Sequence, residues 1–282
     1  MIATTLRQPA GLVAALAVII ALPTGAWCAD ASPWDGSTHA SLRLIAGSRM
    51  NNATARAGVE IKLDPGWKTY WRYPGDSGVP PRFDFAGSQN VKSVDVVWPA
   101  PHRFSDESGF TIGYKDNVVF PLRIVPQNAA KPVLLRLKAD YAVCEKICIP
   151  AEGRAELLLD GRRSELDSTL AAFEALVPKR AQVGDAALLA VRAVRRERGG
   201  DRPRVIVDVA APVGAPVDLF AEGPTPDWAL PVPEAIAGAP AGLRRFAFAL
   251  DGLPPGASAD GALLTLTLVS GTSAVEVSTH LD

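Results

Sequence analysis

Between Val133 and Leu159 the chain reads as one long β-hairpin with two cysteines at its tip. Val133, Leu135, Leu137 and Ala139 alternate with Leu134, Arg136, Lys138 and Asp140, the period-two pattern of a strand with one face in a core. The return strand follows the turn residue Gly153 as Glu156-Leu157-Leu158-Leu159. The insert Glu145-Lys146-Ile147 between Cys144 and Cys148 is then the turn, which sets the two thiols opposite each other. A disulfide needs Cα atoms roughly 4.4–6.8 Å apart, a separation such a turn supplies. Closing so small a ring removes little entropy from the unfolded chain, so stapling is a weak reason for a bridge here. Short, exposed bridges are the ones that exchange with other thiols. The residues favour a redox role, with a purely structural disulfide as the alternative.

The compartment has to allow a disulfide, and the N-terminus is consistent with that. Arg7 precedes an apolar stretch from Gly11 to Leu22, and Ala29-Asp30-Ala31 fits a small-x-small cleavage site. We therefore expect a signal peptide over residues 1–31, a mature start near Ser32, and loss of the third cysteine, Cys28. Trp27 before Cys28 argues against a lipoprotein. No later run reaches about 18 apolar residues, so no membrane span is expected in the mature chain. Export to an oxidising space, the periplasm, would allow Cys144 and Cys148 to be oxidised.

Roughly 250 mature residues suggest two units of ordinary size. With 24 Gly and 24 Pro among 282 residues, strands must be short and turns many, as in β-sandwiches. The expected architecture is all-β, two immunoglobulin-like β-sandwich domains joined by a short helical linker. The boundaries are 32–160 for the cysteine-bearing domain, 161–185 for the linker and 186–282 for an accessory β-sandwich. Strands are expected at Ala57–Leu63, Arg82–Phe85, Val91–Trp98, Val118–Ile124 and Val133–Val143, and later at Ala187–Val194, Arg204–Val209, Val217–Ala221, Arg244–Ala249, Leu263–Val269 and Val275–Thr279. Ser164-Glu165-Leu166-Asp167 reads as a helix cap, with Leu166, Leu170, Phe173 and Leu176 on one face and Pro178 as the stop.

Two stretches near the cysteines carry unusual aromatic content. Trp67-Lys68-Thr69-Tyr70-Trp71-Arg72-Tyr73 has four aromatics in seven residues and ends in the Pro/Gly-rich loop Pro74 to Pro81. Trp67 and Trp71 are read as core residues, and the loop as packing near the cysteines or meeting a partner. Pro99 to Lys115 is polar and holds Phe104, Phe110 and Tyr114. We expect it to be a long loop that caps the cysteines and contacts a partner.

Other chemistries are poorly supported. A net charge of −1 gives no drive toward nucleic acid or an anionic membrane. The basic run Arg192 to Arg202 is broken by acidic residues and Gly199-Gly200, as at a solvated hairpin end. His39, His102 and His280 are scattered, so no zinc spacing arises. No phosphate loop, dinucleotide fingerprint or Gly-x-Ser-x-Gly occurs. No cofactor or metal is expected. Copper delivery through the cysteine pair remains a minor alternative, since soft thiolates select Cu(I). A binding module with a structural disulfide is the other.

Gly66-Trp67-Lys68-Thr69-Tyr70-Trp71, Pro74-Gly75-Asp76-Ser77-Gly78, Trp98-Pro99, Gly113-Tyr114 and the segment Cys144 to Pro150 resemble, in the same order, the N-terminal periplasmic domain of the DsbD/ScsB thiol:disulfide interchange family. The resemblance covers about Ser41 to Leu159. It implies an immunoglobulin-like domain that passes reducing equivalents to periplasmic thioredoxin-fold proteins, with Cys144 and Cys148 as the redox pair. It also implies a cap over the pair and makes Cys148 the partner-facing thiol. Exposure points the same way. Ala142-Val143 should bury Cys144, whereas Cys148 begins a strand beside Pro150, a residue suited to an edge. Lys146 and Glu145 balance each other between the cysteines, and Trp67, Tyr70, Trp71 and Lys146 count as supporting residues. The cysteine spacing is shorter than in the best-known DsbD domains and is similar to the ScsB branch. Because the sequence ends at Asp282, a separate membrane-embedded thiol reductase is the expected electron donor.

Overall fold

The computed structural model describes residues 29–48, 54–75, 78–106, 109–197 and 203–282. In the N-terminal half the strands are β1 (Asp35–Ser37), β2 (Ala40–Ala46), β3 (Ala55–Leu63), β4 (Lys68–Gly75), β5 (Arg82–Asp84), β6 (Val91–Val96), β7 (His102–Asp106), β8 (Gly109–Lys115), β9 (Asn117–Pro126), β10 (Val133–Cys144) and β11 (Cys148–Leu159). One helix, α1 (Asp167–Ala175), follows. The C-terminal half contributes β12 (Lys179–Ala181), β13 (Ala190–Glu197), β14 (Arg204–Ala210), β15 (Asp218–Glu222), β16 (Glu234–Ile236), β17 (Arg244–Ala249), β18 (Leu263–Ser270) and β19 (Ser273–His280).

Hydrogen bonding between strands stays within each half. One N-terminal sheet runs β1-β2-β3-β9-β6, and the other runs β11-β10-β4-β8-β7 with β5 also on β10. The C-terminal sheets run β12-β19-β18-β15 and β13-β14-β17-β16. The alternation read from the sequence is what packs them. Val133, Leu135, Leu137, Ala139, Tyr141 and Val143 of β10 enter one cluster with Leu42, Leu44, Val59, Ile61, Phe120 and Leu122 of the facing sheet. The second half has its own cluster around Val205, Val207, Leu219, Leu266 and Val277.

The expected leader lies almost wholly outside the described residues, which begin at Ala29. Two residues ahead of the expected mature start are already bonded to the sheet. Ala46 N donates to Asp30 O at 2.7 Å, and Ala31 forms a bridge with Ile45.

Three expectations need correction. Pro99 to Lys115 is not one long loop: His102–Asp106 and Gly109–Lys115 form the antiparallel pair β7–β8, in register from His102–Gly113 to Asp106–Gly109. Neighbouring strands supply the backbone hydrogen bonds that a polar loop would have made with solvent. The helix is not a free connector either. Leu170 is fully buried against Ile45 and Val119, with Leu166 and Phe173 beside it. Arg56 pairs with Asp167 and Glu174 at 3.0 and 2.6 Å. The helix start also departs from the expected cap, because Ser164 Oγ accepts from Leu166 N at 3.1 Å while Asp167 accepts from Ser48 N at 2.8 Å. Finally, β12 lies past Pro178, inside the expected linker, and pairs in parallel with β19.

Among the described residues, β4 and β7 both reach the C-terminal half. Trp71 of β4 packs on Phe220 with ring centroids 5.7 Å apart. Arg72 Nη2 binds Glu222 at 2.7 Å and Glu276 at 2.5 Å, and the Tyr73 hydroxyl donates to Leu230 O. From the neighbouring hairpin, Arg103 reaches the carbonyls of Leu219 and Pro233 at 3.2 and 3.1 Å. Phe220, Val232, Val269 and Ala274 thereby join the N-terminal cluster.

Candidate functional site

Strands β10 and β11 pair without a slip from Val133–Leu159 to Cys144–Cys148. The two cysteines are the last rung of this ladder and are joined as a disulfide, with Cα atoms 4.1 Å apart. Glu145, Lys146 and Ile147 form the tip, as the sequence pattern required, and Ile147 is 71% exposed. The sulfurs sit in different surroundings. Cys144 is 9% exposed, whereas Cys148 is exposed.

The difference follows from the sheet. β4 lies against the Cys144 end of β10, pairing Thr69 with Val143 and Lys68 with Cys144. Residues directly opposed in an antiparallel pair share a face. Val143 and Thr69 therefore face the core, while Cys144 and Lys68 face away from it. Most of that outer face of β10 is charged, with Lys138 and Asp140 exposed, but its last turn is apolar. There Tyr70, Ala142 and Cys144 make a small buried cluster of their own. The Tyr70 hydroxyl lies 2.9 Å from Cys148 Sγ. Gly78 packs directly over the Tyr70 ring, where a Cβ would overlap ring atoms, so this residue of the Pro74 to Pro81 loop lies on the one that touches the exposed sulfur.

The aromatic residues divide between the two faces. Trp71, fully buried, and Trp67, 8% exposed, are core residues, as expected. Trp67 also stacks on His39, with ring centroids 4.0 Å apart. Of the three residues expected to cap the pair, only Phe104 is on the cysteine face. It pairs with Thr111, two residues along β8 from Gly113, which opposes Tyr70. Its ring sits 4.5 Å from Lys115 Nζ and 5.9 Å from Lys68 Nζ. Phe110 and Tyr114 are one residue out of phase and point to the other side. Phe110 packs on the core cluster. Tyr114 is 5% exposed, meets Phe120 edge-on at 5.4 Å and donates to Pro99 O at 2.8 Å. Burial pushes its hydroxyl well above the ordinary tyrosine range. Neither can cover the cysteines.

Lys146 is exposed at the tip. Glu145 reaches back toward the turn before β4, its Oε1 3.3 Å from where a Cβ of Gly66 would stand. Lys68 was not singled out by the sequence reading. It is 6% exposed and opposes Cys144. Counting two residues back from Tyr70 along the strand would have found it. Among the described residues no group of three His, Cys, Asp or Glu side chains could hold a metal ion.

Residues 43–160 match the family model described as thiol:disulfide interchange protein DsbD, N-terminal. Residues 43–160 belong to the DsbD N-terminal family. The matched segment is less than half of the chain, and it contains β3 to β11 with both cysteines. The DsbD-type unit also has a structural relative that extends beyond it. The crystal structure of the N-terminal periplasmic domain of ScsB from Proteus mirabilis superposes with a TM-score of 0.68 at 20% identity, covering 90% of this chain and 98% of that one. At that identity the likeness concerns the fold, and it extends past the DsbD-type unit into the C-terminal half. No curated protein matches the chain.

Proposed function

We propose that this chain is a periplasmic thiol–disulfide exchange protein that passes reducing equivalents through Cys144 and Cys148 to thioredoxin-fold partners. The observation that carries the reading is the asymmetry of the pair: an exposed Cys148 beside a hydroxyl, bonded to a Cys144 that the sheet buries. In the reduced protein the Cys148 thiolate attacks one sulfur of the partner's disulfide. The partner's S–S bond breaks, one partner sulfur leaves as a thiolate, and a mixed disulfide with Cys148 remains. Cys144 thiolate then attacks Cys148 Sγ, closing the intramolecular bridge and releasing the partner's second sulfur. The two leaving thiolates take up protons, so the partner departs as a dithiol. The Tyr70 hydroxyl can donate to Cys148 whenever that sulfur is a thiolate, which favours the attacking form.

Two electrons must then return to the pair, and we assign that step to a separate membrane-embedded thiol reductase. Among the described residues no helix is long and apolar enough to cross a membrane. We also place α1 with the first of two β-sandwich units, 32–160 and 186–282, rather than between them, because its apolar side is buried on β2 and β9.

Single-cysteine trapping tests the assignment. A Cys144→Ser protein should accumulate a mixed disulfide with a thioredoxin-fold protein through Cys148, and Cys148→Ser should give much less. The opposite yields would reverse the roles of the cysteines, and no adduct from either would remove the exchange function.

A further inference from the structure

We propose that Lys68 is a positioning residue that holds Cys144 as a thiolate for the resolving step of the exchange. The proposal rests on the exchange reading above and concerns the second of its two displacements. There Cys144 S⁻ attacks Cys148 Sγ, a new S–S bond forms, the bond to the partner breaks, and the partner's sulfur leaves with the electron pair and takes a proton from water.

Lys115 of β8 opposes Lys68 of β4, Lys68 opposes Cys144 of β10, and Cys144 opposes Cys148 of β11. Four strands thus present Lys, Lys, Cys and Cys in one row across the face that points away from the core. Opposed residues hold their Cβ atoms about 4.5–5.5 Å apart, so Lys68 and Cys144 are cross-strand neighbours on this face. Lys68 is 6% exposed and Cys144 9%. Salt and water weaken an interaction in such a place far less than on an open surface.

Burial alone disfavours a thiolate, and a neighbouring cation opposes that effect. A lysine buried on a strand face is costly in itself. Here the Phe104 ring, 5.9 Å from Lys68 Nζ and 4.5 Å from Lys115 Nζ, gives both ammonium groups an aromatic neighbour.

The other charges around Cys144 do not duplicate Lys68. Asp140, four residues back on β10, is in an ion pair with Lys138 at 3.8 Å. Arg82 of β5 opposes Asp140, and Glu152 of β11 opposes it from the other side. Glu145 leans on the Gly66 turn. Lys146 and Asp116 are exposed, and His102 of β7 sits one strand further out, opposite Gly113. The Tyr70 hydroxyl is engaged with Cys148. The two sulfurs thus have separate helpers, Tyr70 for the attacking one and Lys68 for the resolving one.

The test uses the full chain with Cys28 and Cys148 replaced by Ser, leaving Cys144 as its single thiol. Thiolate absorbance and iodoacetamide alkylation are followed against pH. Lys68→Gln should move the ionisation of Cys144 to higher pH and slow alkylation at pH 7 about tenfold, while Lys68→Arg should keep the parent profile. Superimposable profiles for the parent and the Lys68→Gln chain would overturn the proposal. If the Lys68→Gln chain does not fold, the parent itself decides, by comparison of Cys144 ionisation in the folded and urea-unfolded chain. The proposal requires ionisation at lower pH in the folded state, and ionisation at higher pH, as burial alone would give, overturns it. In the two-cysteine protein, Lys68→Gln should let the mixed disulfide persist about tenfold longer without slowing its formation. If no mixed disulfide forms even in the parent, the exchange reading fails while the ionisation result still stands.

Discussion

At the scale of single residues, the hydroxyl of Tyr70 is within hydrogen-bond distance of an exposed sulfur. A hydrogen bond from it to Cys148 Sγ, 2.9 Å away, strengthens when the sulfur is charged, because charge-assisted bonds are roughly twice as strong as neutral ones. Tyr70→Phe keeps the ring that buries Ala142 and Cys144 and removes only the hydroxyl. We expect alkylation of Cys148 in a Cys144→Ser chain to slow about tenfold at neutral pH, the size of one such bond, with an unchanged unfolding midpoint. An unchanged rate would assign Tyr70 to packing alone. Sequence reading placed Tyr70 only as a supporting residue. It could not rank Tyr70 above its aromatic neighbours, since alternation separates two faces without saying which one holds the thiols. The register of β4 on β10 decides that, and register depends on the distant strand, not on the local pattern.

At the scale of elements, the tip hairpin was legible and the neighbouring hairpin was not. Val133 to Asp140 alternates cleanly, and Gly153 and Pro150 punctuate the return. Its strand assignments and turn therefore follow from residue order. In β7–β8, Arg103 and Phe104 both stay half-buried, one against the C-terminal half and the other over two lysines. Neither side of the strand is plainly polar, and the period-two signal fades. For α1 the apolar stripe of Leu166, Leu170 and Phe173 was readable, but its docking site lies more than a hundred residues earlier, at Ile45 and Arg56. The hairpin offers a direct comparison between its two phenylalanines. Phe104→Ala should speed alkylation of the reduced pair by a bulky maleimide several-fold, because it opens the outer face. Phe110→Ala should leave that rate alone and instead cost about 2 kcal/mol in urea unfolding, since its ring lies on the core side. Equal effects of the two on alkylation would mean that face, as we describe it, does not govern access.

At the scale of the whole molecule, β4 joins the thiols to the C-terminal half. Consecutive residues on it touch Cys148 (Tyr70), Phe220 (Trp71), Glu222 and Glu276 (Arg72) and Leu230 (Tyr73). The two carboxylates and the hydrogen bonds they accept hold the Arg72 guanidinium above its ordinary range, although burial works against it. Arg72→Met leaves Glu222 and Glu276 facing each other without their shared cation. The expected cost is about 2 kcal/mol in urea unfolding, and replacing both acids with Gln in the same chain should restore most of it. A single Arg72→Met substitution that costs nothing would show that the halves are not coupled through this cluster.

The central claim, that the Cys144–Cys148 bridge exchanges electrons and does not merely staple the hairpin tip, is tested most directly by its reduction potential. Equilibrating the folded chain in glutathione or dithiothreitol buffers and counting free thiols gives the value. A structural disulfide falls below about −300 mV, whereas a bridge that trades electrons with thioredoxin-fold proteins has a higher, more oxidising potential. We predict the higher value, and a measured potential below that limit would contradict the account.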